Sequence, residues 1–224
     1  MTPQAIAGAG EYWERYYAEE FIFGLGTEHI LAALRQVPPV GTWADLGAGS
    51  ESLLWSLALD TRRLVAVVRD GQRLRTLRAY AGARQPRGAY RTALALCGRT
   101  SGDFALRCDR LAATVAADCL TGPSLPLRPA CAELVTQFGL LGLASTPARF
   151  TSAWVACHDP LAPGGWTVGA NWVAIGQPGR IRLTRQLYQA AFARCGITPQ
   201  LIEQVTVSGD PDFDSVWIYL GRKQ

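Results

Sequence analysis

The residues of this chain best suited to chemistry are a short cluster of acid and glycines, Asp45, Gly47 and Gly49, and a later acid, Asp70. Trp43, Ala44 and Leu46 read as the end of a buried strand, and Leu53, Leu54, Leu57 and Ala58 recur after the glycines at helical spacing. Strand, small-residue turn and helix is the arrangement by which open α/β sheets bring backbone against a nucleotide. Glycine is needed in such a turn because a Cβ would block the approach or force an unfavourable φ. Residues 63–70 read as a second buried strand ending in Asp70, whose carboxylate at the strand tip is placed to accept hydrogen bonds from two ribose hydroxyls. The bland alternative is an ordinary strand-to-helix turn capped by Ser50. Two glycines alone do not decide between these readings. The acids before and after them favour a nucleoside.

The dinucleotide fingerprint G-x-G-x-x-G asks for a third glycine, and Leu53 stands where a further small residue would sit. The shorter D-x-G-x-G form suits S-adenosylmethionine (SAM), which has no pyrophosphate to cradle. SAM is therefore the cofactor this motif predicts. Residues 103–109 look like a third strand, again finishing in an acid, Asp109. A fourth strand over residues 130–138 brings Thr136 and Phe138 to its tip, which topology turns toward the reactive sulfonium.

These residues need a scaffold, and composition supplies its outline. The 224 residues are 49% hydrophobic and 18% charged, an ordinary globular balance with room for one domain and a sizeable core. The net charge of +4 rests on arginine, Lys223 being the sole lysine, and no dense basic run is present to track a nucleic acid. The acids Glu11, Glu14, Glu19 and Glu20, with no long apolar core among them, argue against a signal peptide, and no apolar stretch is long enough to span a bilayer. None of the six cysteines forms C-x-x-C, and neither His29 nor His158 lies at ligand spacing from them. The expectation is buried, reduced thiols, no metal and a cytoplasmic protein.

The elements follow in order. Residues 11–23 are crowded with Tyr12, Trp13, Tyr16, Tyr17, Phe21 and Phe23, read either as a helix docked on the core edge or as a lid whose phenols line a pocket. Helices are predicted over residues 27–35, 73–80, 147–161 and 181–195, with another around Tyr90, Leu94 and Leu96. A fifth strand spans residues 166–173 after the break at Pro163, Gly164 and Gly165, and strands at 201–207 and 215–220 close the sheet. The predicted fold is a Rossmann-like, doubly wound, seven-stranded α/β sheet with an antiparallel edge. It forms a single domain, with an N-terminal helical lid over residues 1–38 and the core over 39–224.

Residues 12–17 (Y-W-E-R-Y-Y), the D-L-G-A-G turn at 45–49, V-R-D at 68–70, Cys108 with Asp109, and L-A-P-G-G-W at 161–166 together resemble the class I SAM-dependent methyltransferases. More closely, the chain looks like their branch of nicotinamide, phenylethanolamine and indolethylamine N-methyltransferases. The resemblance implies that Tyr12 and Tyr17 touch substrate or the methionine carboxylate, that Gly47 and Gly49 approach the methionine part, and that Asp70 holds the ribose. It places Asp109 at the adenine, beside Arg110 where the family has a small apolar residue. An acid of the family at the end of the fifth strand is matched by Asn171, which can hydrogen-bond but cannot serve as a general base. Glu51 stands where the family often has a hydroxyl. It suits a helix N-terminus and is also placed to hold the cofactor's α-ammonium.

Methyl transfer from a sulfonium is an in-line displacement that asks chiefly for positioning and exclusion of water. Asn171, Tyr12 and Tyr17 are the candidate catalytic residues. Asp45, Gly47, Gly49, Glu51, Asp70, Asp109, Arg110 and Thr136 are the candidate cofactor contacts, and Tyr12, Trp13, Tyr16, Phe138 and Trp172 the candidate substrate pocket. The leading expectation is methylation of a small amine, heteroaromatic nitrogen or electron-rich carbon in specialised metabolism. The alternative is a SAM-consuming cyclase that makes azetidine-2-carboxylate and methylthioadenosine with no second substrate. A catalytically silent SAM-binding module is a third, which the intact Asp45, Gly47, Gly49 and Asp70 count against.

Overall fold

A computed structural model describes residues 17, 19–121, 125–177 and 179–224. The predicted lid residues Tyr12, Trp13 and Tyr16 lie outside them. The described chain runs α1 (Thr27–Leu34), β1 (Val40–Leu46), α2 (Ser52–Ser56), β2 (Thr61–Val68), α3 (Gly71–Ala83), α4 (Ala89–Leu96), α5 (Ser101–Asp109) and β3 (Leu111–Ala116). It continues with β4 (Ala132–Phe138), a 3₁₀ turn (Leu141–Leu143), α6 (Pro147–His158), β5 (Leu161–Ala174), α7 (Arg185–Arg194), β6 (Ile197–Thr206) and β7 (Phe213–Lys223). The seven strands lie in the order β3-β2-β1-β4-β5-β7-β6. The five strands β3-β2-β1-β4-β5 are parallel to one another, and β7 runs antiparallel between β5 and β6. This is the doubly wound sheet predicted, with strand order reversing at β1 and β4, where such folds open a crevice.

Alternation along the strands sorts the core into two layers. Trp43, Leu134, Val168, Ala170, Val216 and Ile218 pack beneath α1, α2, α4 and α5 with Ile30, Leu53, Tyr90 and Phe104. Ala44, Leu46, Val135 and Tyr219 face the other way, toward Phe150, Trp154, Tyr188 and Phe192 of α6 and α7. Here Trp154 meets Phe192 and Tyr219 with ring centroids 5.0 and 4.9 Å apart. His158 belongs to this layer. Its two nitrogens lie 2.7 Å from the Trp154 carbonyl and 2.8 Å from the Thr167 hydroxyl, and burial holds its pKa down to about 4, so the ring is neutral.

One predicted strand is a helix. Residues 103–109 belong to α5, and β3 follows it as Leu111–Ala116. The cause is local. Thr100 accepts from the Asp103 amide while Asp103 accepts from the Thr100 amide, a capping box that commits the next residues to helix. Smaller corrections concern ends. β2 stops at Val68, because Asp70 caps α3 by accepting from the Gln72 amide at 2.8 Å. α7 starts at Arg185 behind the Thr184 cap, and β5 continues through Pro163, Gly164 and Gly165.

The turn after β4 is held from below by two buried amides. Gln137 accepts from the Leu141 N–H at 3.0 Å and donates to the Tyr219 hydroxyl at 3.1 Å. Asn171 accepts from the Gly142 N–H at 2.7 Å and donates to the Tyr188 hydroxyl at 2.9 Å. Both side chains thus aim at the α6 and α7 side and fix the backbone of residues 140–143. Asn171→Ala would leave the Gly142 N–H and the Tyr188 hydroxyl without partners. The expected cost is about 2–4 kcal/mol in denaturant unfolding, and a loss under about 0.5 kcal/mol would show that the turn does not depend on it.

Candidate cofactor and acceptor cavity

A cavity of about 710 Å³ opens at the carboxyl ends of β1, β2, β3, β4 and β5. Its first half is polar. Gly47 closes it below, with φ +68° and so little clearance that a Cβ would meet the Leu140 Cβ at 2.9 Å. Glu51, Asp70, Arg73 and Asp118 stand around it, and Cys119 lies beside them. Arg73 approaches Asp70 at 3.9 Å, and Arg69 approaches Asp118 at 3.6 Å. The Glu51 carboxylate folds back to accept from the Ser50 N–H at 2.7 Å. Burial raises its pKa, and the charge of Arg73 opposes that rise. Asp118 is held low by the Thr121 hydroxyl at 2.8 Å and the Leu120 N–H at 2.9 Å. The second half is mostly apolar, walled by Tyr17, Phe21, Phe138, Leu143, Trp172 and Phe213, with Arg180 and Asp210 at its polar points.

The structure brings Gly47, Glu51, Asp70, Tyr17, Phe138 and Trp172 together at this cavity. It does not bring Asp45, Thr136 or Asn171 to it. Asp45 is 1% exposed and sits under the glycine turn, accepting from the Ser52 and Thr136 hydroxyls, each at 2.6 Å. Thr136 in turn accepts from the Trp43 indole N–H at 2.7 Å. The register sets Asp45 opposite Thr136 on adjacent strands, so these two act as the frame of the turn, and neither lines the cavity. Asn171 fails as a pocket residue by parity. In β5, Val168, Ala170 and Trp172 face the cavity layer, and Asn171 points to the opposite one. Gly49, φ +60°, shapes the turn beside Glu51.

Asp109 and Arg110 are misplaced altogether. Asp109 ends a helix and forms a two-pronged ion pair with Arg84, one contact being Nη2 to Oδ2 at 2.8 Å, while Arg110 bonds the Thr61 carbonyl at the start of β2. Both lie at the amino end of β3. The acid at its carboxyl end is Asp118, and the signal for it was present: Leu111–Ala116 is a β-rich run that ends two residues before an acid. Arg69, Arg73 and Arg180 were also not anticipated, since isolated arginines carry no sequence pattern.

No protein-family model matches the chain, and no curated protein sequence does. Solved structures share its architecture. The N-methyltransferase NodS of Bradyrhizobium japonicum WM9, in complex with S-adenosyl-L-homocysteine, aligns with a TM-score of 0.58 at 13% identity over 88% of this chain and 85% of that one. A geranyl diphosphate methyltransferase in complex with SAM aligns at 0.59 and 14% identity, over 88% and 84%. A protein of Bordetella parapertussis aligns at 0.59 and 17%, over 88% of this chain, which spans just under two thirds (66%) of that relative. The fold is that of the Rossmann-like methyltransferases. Among the described residues no helix is long and apolar enough to cross a membrane.

The frame under the turn carries a titration. Burial lifts Asp45 from 3.8 to about 7, against the pull of its two hydroxyl partners. The folded state therefore holds a proton that the unfolded chain has released between these values. This contribution to stability is present at low pH and is lost as pH rises from about 4 to about 7. Asp45→Asn removes it. The melting temperature of wild type relative to this variant should fall by about 5 °C or more between pH 5 and pH 8. Parallel melting curves across that range would show that the carboxyl does not titrate there.

Proposed function

We propose that this chain is a SAM-dependent methyltransferase acting on a small-molecule acceptor. One observation carries the reading. A single cavity at the switch point of the sheet joins a polar half, closed by Gly47 and edged by Asp70 and Asp118, to an apolar half walled by Phe138 and Trp172. The residues fit the cofactor. Gly47 leaves the backbone bare where a side chain would intrude. Asp70 keeps a free oxygen face after capping α3, its side chain half-exposed, so that it can accept from ribose hydroxyls. Asp118 takes the adenine-side position first assigned to Asp109. Glu51, buried and bordering the cavity, would be stabilised as its anion by an α-ammonium.

Bound SAM supplies an electrophilic methyl group on a sulfonium. The residues of the chain then bind, orient and exclude water. The aromatic faces of Phe138, Trp172 and Tyr17 form a wall that suits a sulfonium on one side and a flat acceptor on the other. Trp172 is itself anchored, its indole N–H donating to the Leu25 carbonyl at 2.9 Å. Among the described residues the β4 and β5 tips bring no carboxylate to the cavity, which favours an acceptor that attacks as a neutral amine, heteroaromatic nitrogen or electron-rich carbon. The likeness of residues 12–17 to the lid of the small-amine N-methyltransferases supports that class.

Asp70→Ser separates ligand binding from folding, because serine is as good a helix cap as aspartate but cannot accept from both ribose hydroxyls. Its melting temperature should stay near wild type while calorimetry shows S-adenosylhomocysteine binding weakened by about 1.5–3 kcal/mol. Unchanged affinity would remove Asp70 from the site. Mass spectrometry after incubation with SAM tests the reaction class. Methyl transfer yields S-adenosylhomocysteine only when an acceptor is supplied. Enzyme-dependent formation of methylthioadenosine together with azetidine-2-carboxylate from SAM alone would instead establish cyclisation.

A further inference from the structure

The charges around the cavity are unevenly satisfied. Arg69 has Asp118, and Arg73 has Asp70 at 3.9 Å with Glu51 in its field. Asp210 accepts from the Asp212 N–H at 2.8 Å. Arg180 differs from all of these. It lines the apolar half of the cavity, it is half-buried, and among the described residues no carboxylate lies within ion-pair distance of its guanidinium. Burial lowers its pKa, with no charged neighbour acting on it in either direction. A guanidinium drawn part-way out of water without a counter-ion is costly unless something else supplies the anion.

Its position says which ligand would do so. Arg180 belongs to the connection between β5 and α7. The next residue, Ile181, donates its N–H to the Ala144 carbonyl at 2.9 Å, which ties this connection to the segment that follows the β4 turn. Arg180 thus enters the cavity from a connection tied to the β4 and β5 side of the sheet, while the acids Asp70 and Asp118 follow the ends of β2 and β3. An arginine presents a planar fork of N–H donors that matches a carboxylate or a phosphate two bonds at a time.

We infer that the acceptor carries an anionic group, a carboxylate or phosphate, on a flat apolar body, and that Arg180 is the residue that selects it. This rests on the methyltransferase reading of the cavity and adds to it the charge of the second substrate. The aromatic wall packs the body, the guanidinium holds the anion at one end, and the nucleophilic atom is left to face the cofactor. A neutral analogue of the same shape loses only the charged contact. A cationic amine with no anion would meet Arg180 unfavourably.

The test uses the full-length protein saturated with S-adenosylhomocysteine, titrated in a calorimeter with 2-naphthoate, 2-naphthyl phosphate and uncharged 2-naphthamide. A shorter set, benzoate against benzamide, covers a smaller body. At least one anion should bind about 10- to 100-fold more tightly than its amide. Arg180→Ala should abolish that preference, and Arg180→Lys should keep part of it, with S-adenosylhomocysteine affinity within twofold of wild type in both. No anion preference in the wild type, or a preference that survives in Arg180→Ala, overturns the inference. So does a loss of S-adenosylhomocysteine affinity in Arg180→Ala with the anion preference intact, which would place the guanidinium on the cofactor's own carboxylate. If the wild type binds no S-adenosylhomocysteine, the methyltransferase reading fails, and the anion and amide titrations, run without it, still decide the role of Arg180.

Discussion

The rest of the structure depends on one buried carboxylate. Asp45 lies at the end of β1 with almost no exposure, bonded to Ser52 at the start of α2 and to Thr136 on β4. Two consecutive elements and a third that is remote in sequence are thereby fixed to one point, and Trp43 extends the chain of bonds through Thr136. The glycine turn between Asp45 and Ser52 cannot drift, so Gly47 is held against Leu140 with no space for a side chain. Burying an acid is unfavourable, as its raised pKa shows. Its two short hydroxyl contacts offset part of that cost and turn it into positional precision.

A second polar set does for the turn after β4 what Asp45 does for the glycine turn. Gln137 and Asn171 use their amides to capture the N–H groups of Leu141 and Gly142, and lean on Tyr219 and Tyr188 below. The cavity floor is thus supported from the opposite layer of the molecule. Side chains that enter the cavity, Phe138 and Trp172, alternate with the ones that hold it up, Gln137 and Asn171. Neighbouring residues of one strand serve different purposes because successive side chains point to opposite faces.

That alternation explains what was legible in the sequence. The strand, glycine turn and helix around Gly47 were readable because the turn needs a residue type. Asp70 was readable because it follows a dense apolar run. The doubly wound sheet with its antiparallel edge emerged from the same alternation of apolar runs, although the third strand was misplaced by one element. Asn171 was read as the counterpart of a family acid at the end of the fifth strand, yet the spacing of Val168, Ala170 and Trp172 already marked Trp172 as the residue on the cavity face. Asp109 was lost to competition between two signals: its segment is apolar enough for a strand, and the capping box at Thr100 overrode that. Arg180 left no trace in the sequence, because the lack of a nearby carboxylate among the described residues is a property of three dimensions.

The two halves of the cavity come from separate stretches of chain. Residues 47–121 build the polar half. The apolar wall draws on residues 138–143, Trp172 and Arg180, and then on Val207, Asp210 and Phe213 from the turn that joins β6 to β7. That turn lies at the free margin of the sheet, with β6 outermost, and carries no part of the Asp45 frame. Its backbone is tied to Gly24 through the Ser208 N–H at 3.0 Å and to Ile175 through the Asp212 carbonyl at 2.9 Å, and none of these bonds involves the polar half. A change of side chains at that hairpin tip would therefore alter one wall of the cavity and leave the polar half around Gly47 as it is.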